Sequence, residues 1–275
     1  MKWIEEGLAD LAAVISEKQI RSIALPPLGS GNGGLEWSDV RPHIEDALGA
    51  LKNVSVIVYE PTARYQNIAK RSGVEKLTAP RALIAEMVRR YAILGIDCTL
   101  LEIQKIGYFL ERSVNALKLE NNFKFEFTAN KYGPYSEKLK HLLNGLDGSY
   151  LHCDKRIADA GPFEPIRFDD AKKGLVAAFL TTPEAKPYRP ALEATADLID
   201  GLESPHGMEL LATVDWLVTQ GARPDVKAIR AALSKWPGED RKAAERKLYL
   251  FDERVIAIAL DTLAESTTMS RRAVF

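Results

Sequence analysis

Apolar residues recur along this chain at two different periods, and the change from one to the other divides it. Trp3, Ile4, Leu8, Leu11, Ala12 and Ile15 follow helical spacing, with Glu5, Glu6, Asp10 and Glu17 on other faces, so the first 21 residues predict one amphipathic helix. Two short apolar runs at 22–28 and 54–59 flank a helical pattern at 39–51, which reads as strand, helix, strand. Residues 61–79 are crowded with polar and charged side chains and read as a connector, with a short helix at 63–71. Pro80 then stands where a helix opens without needing its missing N–H, capped by Thr78 or Ala79. From there the period is mostly helical, with candidate helices at 80–94, 99–113, 136–143, 169–180, 192–201, 207–219, 225–233, 239–248 and 252–263. Residues 123–127 alternate Phe, Lys, Phe, Glu, Phe, the pattern of a short strand or ribbon. The last stretch, 267–275, reads as a disordered tail.

Composition adds bounds. With 275 residues, 46% of them hydrophobic, the chain has room for two ordinary domains that each bury a core. A formal net charge of −1 argues against a broad nucleic-acid-binding surface. Cys98 and Cys153 do not form a disulfide framework, which points to a reducing compartment. No long apolar span or basic, apolar leader is present, so the expectation is a soluble cytoplasmic protein without a membrane partner. The expected domains are 1–62, a linker at 63–79, a helical domain at 80–266 and the tail at 267–275.

Candidate chemistry concentrates in Ser22 to Trp37, where a strand runs into Pro-Pro-Leu-Gly-Ser-Gly-Asn-Gly-Gly-Leu-Glu-Trp. Gly29, Gly31, Gly33 and Gly34 have no Cβ and tolerate positive φ, so successive N–H groups can converge on a phosphate. Ser38 is a plausible N-cap for the following helix, which sets the loop between a strand end and a helix start. Leu35-Glu36 stands where a P-loop needs Lys-Ser or Lys-Thr, and the glycine spacing is not that of a dinucleotide fingerprint. A ligand-free glycine turn would account for the glycines; the Pro-Pro lead-in and the Leu35-Glu36-Trp37 exit are more specific.

With those flanks the loop resembles the second phosphate loop of macrodomains, and within them of DarG-type antitoxins. The resemblance implies an α/β partial macrodomain, its second half only, with Gly29, Ser30, Gly31, Asn32 and Gly33 addressing the phosphates of ADP-ribose as ligand or product, and no cofactor. The adenine contact, an Asn-containing loop and a catalytic lysine would belong to the half that precedes the loop. No lysine here matches that motif, and Gly33 stands where related hydrolases carry an aspartate. No catalytic residue is therefore assigned, and hydrolysis by this polypeptide alone is not expected. A start placed too late or a truncated gene is favoured over a domain split between two polypeptides.

A second resemblance lies in the helical part. Leu100-Leu101-Glu102-Ile103-Gln104-Lys105-Ile106-Gly107-Tyr108-Phe109-Leu110, followed by Asn130-Lys131-Tyr132-Gly133-Pro134-Tyr135-Ser136, is similar to the core of Panacea-like domains, also carried by DarG C-terminal regions. Ile103, Ile106, Phe109 and Leu110 would form one buried helix face. The resemblance implies a mainly α-helical domain that binds a DarT-like toxin, an enzyme that ADP-ribosylates single-stranded DNA, with Asn130, Lys131, Tyr132 and Tyr135 on the binding surface. Such a toxin's DNA groove is basic, so an acidic run is of interest. Between residues 191 and 220 the charged residues are Glu193, Asp197, Asp200, Glu203, Glu209 and Asp215, all acidic. The first four fall on one helical face if the helix continues through Gly201, although an ordinary solvated face explains them as simply.

Other sites carry less weight. His152-Cys153-Asp154 with His141 lacks paired zinc spacing, so no metal is expected. His206, at a helix start, suits capping or packing, and Trp216 and Trp236 suit a core. The leading function is an antitoxin that neutralises by binding, with ADP-ribosylated DNA as a weak or lost ligand. The alternatives are an ADP-ribosyl hydrolase completed by an upstream segment, and an ADP-ribose-binding or proteolytic-adaptor module.

Overall fold

The computed structural model describes residues 2–30, 35–60, 73–74, 76–92, 98–237 and 241–272, without the side chains of 241 and 267–272. It resolves into two compact units, Met1–Ala69 and Lys70–Phe275. Both are rich in helix, with few short strands. The connector helix expected at 63–71 lies outside the described residues.

The first unit contains α1 (Lys2–Glu17), β1 (Ser22–Leu25), α2 (Trp37–Leu48) and β2 (Ser55–Val58). Leu8 and Ile15 of α1 are buried with Val40, Ile44 and Leu48 of α2, two stripes at four- and seven-residue spacing that close on each other. Trp3 departs from the expected stripe. It is 86% exposed because it shares a line with Gly7, Asp10 and Val14, about 100° around the helix from Ile4. Strands β1 and β2 are parallel with Ser22 opposite Ser55 and Leu25 opposite Val58. Ile23, Leu25, Val56 and Val58 pack in the core with the helices, while Ser22, Ala24, Ser55 and Ile57 on the other face are exposed.

The second unit is built on α4 (Leu100–Ala116), which packs against α3 (Ala79–Ala92), α5 (Glu137–Leu146), α7 (Arg189–Ile199) and α8 (Pro205–Thr219). Every residue from Leu100 to Leu110 is buried, so α4 is enclosed on all sides and not along the one expected face. Its buried polar side chains find partners within the unit, Lys105 one among the described residues. Glu102 accepts from the Thr99 N–H at 2.8 Å and the Thr99 hydroxyl at 2.7 Å, closing the helix start, and also from the Tyr91 hydroxyl. Gly107 is where α5 comes closest, since a Cβ there would stand 2.4 Å from Leu139 Cδ2. Two small antiparallel ribbons complete the layer: β3 (Thr128–Asn130) with β4 (Gly133–Tyr135), and β5 (Leu151–His152) with β6 (Arg167–Phe168). Helix α6 (Lys173–Phe179) packs on α3, α9 (Val226–Leu233) and α11 (Glu253–Arg272) pack on α8, and α10 (Arg241–Leu250) packs on α9.

Two expectations are corrected. Residues 123–127 alternate in burial, Phe123 and Phe125 in and Lys124 and Glu126 out, but they are not a strand. Lys124 and Glu126 hold φ of 49° and 56°, and the Phe123 and Phe125 amides donate to the side chains of Asn121 and Glu111, not to a neighbouring strand. The ribbon starts at Thr128 instead. The backbone expected to be disordered from Thr267 stays helical to Arg272, because 264–272 contains neither Gly nor Pro to end α11. Residues 273–275 lie outside the described chain.

Candidate functional site

Two places carry candidate chemistry, one in each unit. In the first, the chain turns sharply after β1, with the Ser30 N–H donating to Pro27 O at 3.2 Å. Gly29 holds φ of 67°, a torsion that favours glycine, and a Cβ there would sit 2.7 Å from Leu35 Cδ1, so the Leu35 side chain would have to move. The Leu35 N–H donates back to Gly29 O at 3.0 Å and pinches the loop shut at its base. Gly31, Asn32, Gly33 and Gly34 lie outside the described residues. Helix α2 starts at Trp37 with Glu36 in the capping position, two residues before the expected Ser38 cap; Ser38 lies inside the first turn, its hydroxyl directed at Asp39. Trp37 Nε1 is buried and has no hydrogen-bond partner among the described residues.

The second place is the β3–β4 hairpin. Asn130 lies opposite Gly133, leaving Lys131 and Tyr132 as a two-residue turn, and Gly133 takes φ of 92° to make it. A Cβ at Gly133 would meet Thr213 Oγ1 at 3.0 Å and Lys105 Cε at 3.4 Å. The turn is held from below by side chains of α4 that bind its main chain. Gln104 accepts from the Ser136 N–H at 2.9 Å and donates to Ser136 O at 3.0 Å, taking the part of a neighbouring strand. Lys105 Nζ donates to Pro134 O at 2.7 Å, and Trp236 Nε1 donates to Asn130 O at 3.0 Å. The Ser136 hydroxyl donates to Phe125 O and accepts from the Leu139 N–H at 3.1 Å, capping α5.

Behind this clamp sits a buried ionic cluster. Glu209 of α8 accepts two bonds from Arg246, at 2.7 and 3.0 Å, and one from Lys247 at 2.7 Å. Lys247 is fully buried, 4.7 Å from the centre of the Trp236 ring, and also donates to Thr213 Oγ1 at 3.3 Å. Arg246 lies 4.9 Å from the centre of Tyr132, whose edge meets Phe163 at 5.4 Å between centres. Burial works to raise the Glu209 carboxyl, and Arg246 and Lys247 outweigh it and hold the group below the usual carboxylate range. Burial, reinforced by Lys247 and only partly opposed by Glu209, pushes Lys105 down to about 7. Burial and the neighbouring Glu137 push Tyr135 up to about 12.

The Lys105 value carries a sign that can be tested. Lys105 holds its proton to about 7 when folded and to 10.5 when unfolded, so folding expels a proton between those values. Its contribution to stability therefore rises as pH increases from 7 toward 10. The wild-type stability measured against Lys105→Met by urea unfolding should grow by about 2 kcal/mol between pH 7 and pH 9. A flat difference would mean that Lys105 keeps its proton in the folded chain.

The structure brings Asn130, Lys131, Tyr132 and Tyr135 together at the mouth of one cavity of about 310 Å³. The acidic run does not form the expected single face. Helix α7 ends at Ile199, Asp200 caps it with extended backbone, and Gly201 turns the chain with φ of 78°. Glu193 is spent on Arg90, at 2.8 and 2.9 Å, while Asp197 and Asp200 are exposed and Glu203 is half-buried. Glu209 is buried as described, and Asp215 accepts from Tyr108 at 2.6 Å and from Arg112 at 2.9 and 3.0 Å. His206 rests edge-on against Phe251 inside the first turn of α8, which is capped by Ser204. Sequence reasoning missed Gln104, Lys105, Arg246 and Lys247. The available signal was the pair of polar residues inside the otherwise apolar 100–110 stretch.

No family model matches this sequence. The chain is 37% identical over 266 residues to a DNA ADP-ribosyl glycohydrolase of Thermus aquaticus, covering 96% of this chain and 68% of that protein. It is 33% identical over 276 residues to DNA ADP-ribosyl glycohydrolases of Mycobacterium tuberculosis and Mycobacterium bovis, covering 96% of this chain and 74% of each. At that identity, over nearly its whole length and both of its units, the chain belongs to the DNA ADP-ribosyl glycohydrolase family, the DarG type.

Proposed function

We propose that this chain is an antitoxin that neutralises a DarT-like DNA ADP-ribosyltransferase by direct binding through its helical unit. The observation that carries the reading is the construction of the 130–135 hairpin. Gln104, Lys105 and Trp236 spend their buried hydrogen bonds on its main chain, leaving Asn130 and Lys131 exposed and Tyr132 and Tyr135 half-exposed. A loop held rigid by the core at such cost suits recognition of a protein partner, because little ordering entropy is lost on binding. Asp197, Asp200 and Glu203 stay in the proposed interface. Glu193 is already paired, so it contributes less negative charge to a basic groove. The first unit, as the second half of a macrodomain, would offer Gly29 to Gly33 to the phosphates of ADP-ribose on modified DNA.

The test adds the purified chain to the cognate toxin with NAD and single-stranded DNA and follows DNA ADP-ribosylation. Inhibition should saturate near one antitoxin per toxin, and Tyr132→Ala with Tyr135→Ala should shift the titration by at least about tenfold. Pre-modified DNA incubated with the chain alone separates the roles. Removal of the modification at catalytic amounts would make this polypeptide a hydrolase in its own right, and no inhibition at any ratio would sink the antitoxin reading.

A further inference from the structure

The cavity lined by the hairpin also contains buried residues that the proposed toxin contact does not use. Its floor is Lys105, which is 2% exposed and makes one hydrogen bond among the described residues, to Pro134 O. An ammonium has three N–H donors, and one protein acceptor for them is found among the described residues. The nearest buried carboxylate, Glu209, is engaged with Arg246 and Lys247. The walls include Leu100, Leu101, Ala160 and Pro162, which are apolar, and the rim carries Lys131 and Lys140 against one carboxylate, Glu137. A buried lysine with one protein acceptor among the described residues, in an apolar cavity whose lining is net positive, selects one kind of ligand.

We propose that this cavity binds a carboxylate carried on an apolar body, with the carboxylate seated on Lys105. The ligand supplies Lys105 with acceptors beyond Pro134 O, and its apolar part covers Leu100 and Leu101. The volume of about 310 Å³ admits a small organic acid or the last residue of a peptide with a free C-terminus. Both present the same chemistry. Phosphate esters fit less well, since a doubly charged head costs more to desolvate among apolar walls.

Isothermal titration with four probes tests this on the full chain: 3-phenylpropanoate, 3-phenylpropanamide, and the peptide Gly-Gly-Phe with a free or an amidated C-terminus. The free acids should bind at least about tenfold more tightly than their amides, a difference of about 1.4 kcal/mol. Lys105→Met should remove that preference while leaving amide binding unchanged. Since Lys105 also holds Pro134 O, Lys140→Glu at the rim is the second variant, which leaves the clamp intact and should weaken the acids alone by about threefold or more. Affinity for the acids should fall from pH 6 to pH 9 as Lys105 loses its proton. The charged groups facing it are Lys247 of α10, Glu209 of α8, Lys131 of the hairpin, and Glu137 and Lys140 of α5. Tighter binding of 3-phenylpropanoate assigns the cavity to a small acid, and tighter binding of the free peptide assigns it to a protein terminus. Equal affinity for acid and amide, or no binding of either acid at about 10 mM, overturns the proposal.

Discussion

Glu209→Ala should destabilise the helical unit by about 3–5 kcal/mol, a large share of the stability of an ordinary domain. The loss comes less from missing attraction than from what stays behind. Lys247 is 0% exposed and Arg246 is 31% exposed at its side chain, so the variant strands a buried ammonium and a half-buried guanidinium with no counter-charge. Urea unfolding followed by tryptophan fluorescence reads this directly, since Trp236 lies against Lys247. The same argument predicts the rescue. Replacing Glu209, Arg246 and Lys247 together by Leu, Leu and Met should recover most of the loss, because a packed apolar triad has no charge to desolvate. If the triple variant is as unstable as Glu209→Ala, the cluster holds the fold by geometry and not by charge balance. Acid should imitate the single variant: the folded-state pKa of Glu209 is depressed, so its stabilisation is present at neutral pH and is lost as pH falls below the usual carboxylate range.

Gln104→Leu is the second large effect, expected at about 2–4 kcal/mol with the hairpin as its centre. Gln104 is 1% exposed and Ser136 is 1% exposed, so removing the amide strands the buried Ser136 N–H and leaves Ser136 O with the longer bond from the Lys140 N–H at 3.2 Å. Hydrogen exchange at the Ser136 amide should accelerate toward that of a surface turn, and, if the hairpin binds the proposed toxin partner, affinity for it should fall although no hairpin residue has changed. Gln104→Glu should lie between, since it keeps an acceptor for the Ser136 N–H and lacks a donor for the carbonyl. Unchanged Ser136 protection in Gln104→Leu would show that the hairpin is held from elsewhere, Lys105 and Trp236 being the alternatives.

Helices were legible in this sequence because each has an apolar stripe to repeat. The spacing predicts 207–219 and 225–233, and the chain forms Pro205–Thr219 and Val226–Leu233. What periodicity could not reveal is a charge that faces inward. Lys105, Glu209 and Lys247 read as polar positions, and a polar position is assigned to solvent unless its partner is known. Those partners are remote: Glu209 meets Arg246 and Lys247 37 and 38 residues away, and Asp215 meets Arg112 across 103. The acidic run therefore looked more exposed from its sequence than it is. The 123–127 alternation misled for a related reason. Burial alternates as in a strand, yet side chains of Asn121 and Glu111 take the backbone donors, and nothing in a two-residue period distinguishes those cases. At the candidate site the sequence picked out the displayed residues, Asn130 to Tyr135, and passed over the ones that hold them.

Gln104, Lys105 and Trp236 grip carbonyls and amides, which every residue type possesses. Apart from Gly133, whose torsion and space admit nothing larger, the hairpin can exchange its outward side chains without asking the core for permission. The arrangement works as a socket. A lineage facing a new partner could rewrite Asn130 and Lys131 while the buried helix that grips their main chain stays the same, so specificity and foldability are free to evolve on separate residues.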